Sequence, residues 1–185
     1  MKINMFTNKA FTLVELLVVI LIIGILAAIA VPQYQYAVLK SKYHTLMNMA
    51  KAVKNAQEVY FLQNGKYAEH LSELDISVAS EANIAIRDIK QSNGSFAPME
   101  TASINNGEIL IATIPTQALS FLRKNNDSYM DYNLRLDKAA IWEEKNALCV
   151  AWEKSGDMGK KLCKDLSKFP ETCKTSGIRY TCRLF

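Results

Sequence analysis

Hydrophobic positions along this chain fall into three regimes. From Phe11 to Val31 the chain is almost continuously apolar, with Glu15 the only charged side chain. From Leu39 to Tyr60 apolar residues recur at spacings of three, four or seven, as Leu39, Tyr43, Leu46, Ala50, Val53 and Tyr60. Beyond residue 65 they come in short runs broken by Ser, Asn, Gly and charge. The first regime, 21 residues long, predicts a helix of about 31 Å, enough to cross the roughly 30 Å hydrocarbon core of a bilayer. The second predicts an amphipathic helix with one face on a core, ending near Asn64-Gly65, where glycine supplies the left-handed cap. Joined, they make one helix from Phe11 to Asn64, about 80 Å long.

The third regime predicts a sheet. Lys66-Tyr67-Ala68 and His70 to Leu74 read as a connector with one helical turn, and residues 77–107 as a variable surface loop with one strand at Ile84-Ala85-Ile86. Glu108 to Pro115 holds the β-leaning run Ile109 to Ile114, and Tyr129 to Asp137 alternates in Tyr132, Leu134 and Leu136. Ala139 to Glu144 and Ala147 to Trp152 are further candidate strands. The fold class is therefore α+β: a long N-terminal helix whose second half packs on a small antiparallel sheet of three or four strands, which buries the Leu39 to Tyr60 face. No repeat, low-complexity tract or long Pro/Gly linker marks a second globular domain.

Glu15 changes the picture of the first helix. A carboxylate at the bilayer centre costs about 2.5–3.5 kcal/mol, so it asks for a partner. Charge changes the picture of the far end. The net charge of +4 includes Lys2 and Lys9, so residues 11–185 carry +2, too little to argue for nucleic acid. From Lys154 to Phe185, however, eight Lys and Arg face three acids, a local +5. Trp152, Phe169, Tyr180 and Phe185 interleave with these bases, a pattern that can stack bases and contact phosphates; a core aromatic set with a solvated basic rim is the favoured reading, and DNA a disfavoured partner.

All four cysteines, Cys149, Cys163, Cys173 and Cys182, lie in the last fifth of the chain. In a chain that crosses a membrane an even, clustered set reads as a disulfide framework. Four cysteines allow three connectivities, between which sequence does not choose; the expected pairing is sequential, Cys149–Cys163 and Cys173–Cys182, each closing a short loop around Ser155-Gly156 or Ser176-Gly177. A zinc site is disfavoured, because no Cys-x-x-Cys knuckle or nearby His is present. His44 and His70 are the only histidines and sit in no catalytic motif, and Glu143-Glu144 reads as a solvated strand end. There is no phosphate loop, G-x-S-x-G or H-E-x-x-H. No enzyme and no cofactor is expected.

The ordered segment Lys9-Ala10-Phe11-Thr12-Leu13-Val14-Glu15, followed by Leu16 to Pro32, closely resembles the class III signal and N-terminal helix of type IV pilins and the related type II secretion pseudopilins. The resemblance implies cleavage by a prepilin peptidase between Ala10 and Phe11, with N-methylation of Phe11. The family nearly always has Gly where this chain has Ala10, the next smallest residue. Glu15 matches the acidic position thought to neutralise the terminal amine of a neighbouring subunit, and physics agrees, since each charge removes the burial cost of the other. The resemblance also implies loss of regular helix between Gly24 and Pro32 in a filament; the alternative is a simple kink.

The implied organisation is a leader at 1–10, a transmembrane and filament-core helix at 11–31, the amphipathic half of that helix at 32–64 and a globular head at 65–185. The implied partners are copies of the chain and minor pilins, the peptidase, an inner-membrane assembly platform and motor, and membrane lipid before assembly. The protein would sit in the bacterial inner membrane with its N-terminus in the cytoplasm, then in an extracellular or periplasmic filament. A pilus subunit is favoured over a secretion pseudopilin, whose major form resembles this chain less at the C-terminus: that form has an acidic calcium loop and no cysteines. Two plainer readings stand beside these. Ala28-Ile29-Ala30 has the form of a signal-peptidase site, giving a secreted domain; and an uncleaved anchor flanked by Lys2 and Lys9 gives a tethered one of unknown binding role.

Overall fold

The computed structural model describes residues 11–76, 83–90, 96–104, 106–114, 117–124, 127–135 and 147–184. The chain divides into two compact units, residues 1–38 and 39–185. Helix α1, Leu13–Asn64, is continuous through Gly24 and Pro32. Its capping by Gly65 is as the sequence suggests: Gly65 has φ 69°, and its N–H donates to the Phe61 carbonyl at 2.8 Å.

In the second unit the strands are β1 (Asn83–Lys90), β2 (Phe96–Ile104), β3 (Ile109–Ile114), β4 (Gln117–Lys124), β5 (Asp127–Arg135), β6 (Leu148–Trp152), β7 (Lys174–Ser176) and β8 (Arg179–Arg183). They form one sheet in the order β1-β2-β3-β4-β5-β6-β8-β7, every pair antiparallel. Helix α2 (Gly156–Leu166) lies between β6 and β7 in sequence, and single 3-10 turns occur at Leu71–Glu73, Glu153–Ser155 and Pro170–Thr172.

The expected sheet of three or four strands is thus corrected to eight among the described residues. The anticipated strands at residues 84–86, 109–114, 129–137 and 147–152 correspond to β1, β3, β5 and β6, while the candidate at 139–144 lies outside the described residues. The region read as a variable loop contains all of β1 and β2. Pro98 argues against a strand, yet β3 pairs with β2 only over Thr101–Ile104, so the missing N–H at Pro98 removes no bond to β3. β4, Gln-Ala-Leu-Ser-Phe-Leu-Arg-Lys, is built from residues with good helix propensity; burial on both faces between β3 and β5 overrides it.

Within the second unit α1 buries Leu39, Tyr43, Leu46, Ala50, Val53 and Gln57, a stripe at spacings of four and three. The stripe was expected to end on Tyr60, which is only half-buried; Gln57 takes the core position. Opposite it are Ile109, Ile111, Ser120, Met130 and Tyr132. The Ser120 hydroxyl donates to the Leu46 carbonyl at 2.8 Å, and Tyr43 meets Tyr132 edge to face at 6.1 Å. Lys42 pairs with Glu108 at the rim. The other sheet face carries its own apolar layer, Ile89, Leu110, Ala112, Leu119 and Phe121.

Gln57 joins three pieces of the head. Its Nε2 donates to the Ala68 carbonyl at 2.9 Å and to Thr113 Oγ1 at 2.8 Å, while its Oε1 accepts the Ala68 N–H at 2.8 Å. Gln57 and Ala68 are fully buried. Gln57→Leu therefore orphans both backbone groups of Ala68 and should cost about 2–4 kcal/mol, read as a lower denaturation midpoint of the chain in detergent, whereas Gln63→Leu on the exposed side of the same helix should be near neutral.

Candidate assembly site

Helix α1 begins directly after Thr12 for a reason written in Thr12-Leu13-Val14-Glu15. The Glu15 carboxylate Oε2 accepts the Thr12 N–H and hydroxyl, both at 2.8 Å, and Thr12 Oγ1 accepts the Glu15 N–H at 3.2 Å. This is a capping box, in which Thr and Glu satisfy two otherwise unpaired backbone donors. The carboxylate also lies at the positive end of the helix dipole. Sequence reasoning singled out Glu15 for its charge and overlooked Thr12, although the Thr-x-x-Glu spacing was legible.

Beyond the cap the first unit offers an uncovered apolar surface. Phe11 is 86% exposed, and the large apolar residues from Leu13 to Val31 are between 44% and 83% exposed. α1 is long and apolar enough to cross a membrane. Contiguous apolar surface on this scale requires lipid or protein against it. Gly24 has open space around its Cα, and Pro32 lies within the helix, so neither ends it. Ala10 lies outside the described residues.

The head's C-terminal end is cross-linked. Cys149 on β6 bonds Cys163 on α2, with Cα atoms 5.4 Å apart, and Cys173 bonds Cys182 on β8, with Cα atoms 4.2 Å apart. Cys149 and Cys182 are direct neighbours across β6 and β8, so the two bridges lie side by side. The Cys149–Cys163 bridge holds a helix that its own sequence supports poorly, since α2 contains Gly156 and Gly159. Gly159 is where α2 comes close to β6: a Cβ there would lie 3.3 Å from the Ala151 Cβ and collide with Ser155. No helix was expected here, although Met158, Leu162, Cys163 and Leu166 share one helical face; Gly159, Leu162 and Cys163 are the buried residues of α2.

Lys154, Lys160, Lys161, Lys164, Lys168, Lys174 and Arg183 are exposed around this end, a basic rim. Of the aromatics interleaved with them, Trp152 is a core residue, its N–H on Asp131 and its ring 5.5 Å from the Arg179 guanidinium, so it offers no face for a base. Phe169 is 42% exposed, Tyr180 half-buried, and Phe185 outside the described residues. His44 is exposed and His70 lies 3.8 Å from Glu100. Among the described residues no group of three or more His, Cys, Asp or Glu is arranged to hold a metal.

Residues 5–31 match the family model described as a prokaryotic N-terminal methylation motif. A fimbrial protein of Neisseria meningitidis serogroup B is 32% identical over 173 residues, 90% of this chain and 94% of that one. The chain belongs to the type IV pilin family. A type IV major pilin of Neisseria gonorrhoeae is 33% identical to this pilin over 102 residues, 53% of this chain and 56% of that one, and the fimbrial protein EcpC of Eikenella corrodens is 49% identical over 58 residues, 31% and 38% of the two chains. No solved structure matches this pilin.

The pilin's bridges should act independently of its anchor. Replacing Cys149 and Cys163 together by Ala opens a loop of 14 residues and should lower head stability by about 3 kcal/mol. Hydrogen exchange should then report lost protection in α2 and β6, with α1 from Leu39 to Gln57 still protected.

Proposed function

We propose that this pilin is a structural subunit of a type IV pilus, released by prepilin peptidase between Ala10 and Phe11, N-methylated on Phe11, and assembled through its apolar helix. The observation that carries the reading is the helix itself: from Phe11 to Val31 its side chains are exposed in the single chain, and the Thr12 and Glu15 side chains complete its end without outside help. In the inner membrane lipid covers that surface, with the N-terminus in the cytoplasm. In the filament the same surface lies against the helices of other copies and of minor pilins, after extraction by an assembly platform and motor.

Glu15 gives the exchange its register. Cleavage creates a positive amine on Phe11, and a neighbour's amine brought to Glu15 in a low-dielectric bundle neutralises two charges that would each be costly alone. The Glu15 carboxylate has two oxygens, and Oε2 takes both Thr12 donors, so Oε1 is the atom for the amine. The head contributes no catalytic step: its disulfides and sheet hold a presented surface.

The test is Glu15→Ala. Insertion and cleavage should proceed, since neither needs the charge, while filament recovered by shearing should fall at least tenfold, the loss of a buried pair being worth several kcal/mol. Normal filament from Glu15→Ala would refute the pairing. Wild-type protein found only in the periplasm, with no surface filament, would instead favour the pseudopilin reading.

A further inference from the structure

Asp131 sits in the middle of β5 with 2% of its surface exposed. It is paired with Phe121 on β4 and Val150 on β6, so its side chain lies on the sheet face opposite that of Tyr132, the residue that meets Tyr43 of α1. Carboxyl Oδ2 accepts the indole N–H of Trp152 at 2.7 Å. Oδ1 has no hydrogen-bond partner, and the charge of Arg179 on β8 acts on the carboxyl from a neighbouring strand. Two residues along the strand, Asn133 projects from the same face, is 7% exposed, and its Oδ1 also lacks a partner.

Two buried acceptor oxygens on one face therefore accept no hydrogen bond, and an unpaired buried carboxylate is the costlier of the two. One proton closes both. A protonated aspartic acid carries an O–H donor, and an amide oxygen accepts it. We propose that Asp131 is held as a neutral acid in the folded head, its proton donated to Asn133, and that loss of this proton is a pH-sensitive switch at the joint between β5 and the disulfide-bonded β6–β8 end.

Burial acts in the same direction, pushing the Asp131 carboxyl up to about 7 against smaller opposing effects of the Trp152 hydrogen bond and the Arg179 charge. Titratable and charged groups on the neighbouring elements are Arg123 and Lys124 on β4, Glu153 and Lys154 in the turn after β6, and Arg179, Tyr180 and Arg183 on β8, with Tyr43 the α1 residue bonded to Asp131. Of these, Arg179 is the one whose charge acts on the carboxyl. Tyr43 donates to the Asp131 carbonyl at 3.2 Å and so ties the same residue to α1. Ionisation therefore puts a buried charge, only partly offset by Arg179, on the sheet face away from α1, where β5 meets the cross-linked end.

The sign follows from proton counting. The folded value lies above the ordinary 3.8, so between 3.8 and about 7 the folded head keeps a proton that the unfolded chain has released. Stability is greatest on the acid side, falls as pH rises through that window, and stops falling above it.

The experiment is thermal unfolding of the full purified chain in detergent at pH 5 to 8, with infrared difference spectra of the carboxyl region. The wild type should lose roughly 5 °C or more of Tm across the range. Asp131→Asn, which leaves an acceptor for Trp152 and gains a donor toward Asn133, should remove that slope. The wild type should show a protonated-acid band that disappears with a midpoint near neutral pH, separable from exposed carboxyls, which have ionised by about pH 5. A slope retained in Asp131→Asn, or no such band in the wild type at pH 5, overturns the proposal. Should Asp131→Asn fail to fold, the wild-type band decides alone. Neither readout depends on filament assembly, so the outcome is independent of the chain's role in a pilus.

Discussion

An apolar helix that its own unit leaves bare is the constraint on which the molecule depends. Water cannot be the long-term neighbour of the surface from Phe11 to Val31, because every large side chain there would order solvent without return. A bilayer and a bundle of like helices are the two environments that remove the problem, and the family to which the chain belongs supplies the reason to have both. The Thr12 and Glu15 cap lets the helix begin cleanly in either setting. Its single carboxylate serves the helix end in the isolated chain, and in the proposed filament it serves a neighbour as well.

The head has to be stable without help from that surface, and its second unit is built accordingly. The stripe from Leu39 to Gln57 lies on the middle of the sheet, with Tyr43, Ser120 and Gln57 adding directed bonds where apolar packing alone would leave backbone groups unpaired. The last strands are short and α2 is a weak helix former, so the end of the sheet is where burial supplies least. Both disulfides are placed there, side by side on β6 and β8. Asp131 lies at the seam between these two regimes, tied to Tyr43 on one side and Trp152 on the other.

Legibility in the sequence followed the strength of the periodic signal. The long helix was readable throughout, because Phe11 to Val31 is apolar on every side and Leu39 to Val53 repeats at helical spacing. β3 and β6 were readable because Ile109–Ile114 and Leu148–Trp152 are rich in apolar and β-branched residues. β4 was not, since its local preferences are helical and only its neighbours make it a strand. β2 was hidden because residues 77–107 mix Ser, Asn, Gly and charge with only short apolar runs. α2 was missed although Met158, Leu162, Cys163 and Leu166 lie on one helical face, because Gly156 and Gly159 read locally as a turn. Of the site, Glu15 stood out as the one charge in an apolar run; Thr12 was legible from its spacing to Glu15 but overlooked, whereas Gln57 and Asp131 matter through partners that sequence does not place.

The central claim is that the bare helix begins at Phe11 and leaves lipid for a filament. Intact mass with N-terminal sequencing of the protein, recovered both from membranes and from sheared surface filaments, tests it most directly. The account predicts one species in both fractions, beginning with N-methylated Phe11 and retaining both disulfides. A chain beginning at Val31, or one that keeps Met1 and is found only in membranes, would contradict it.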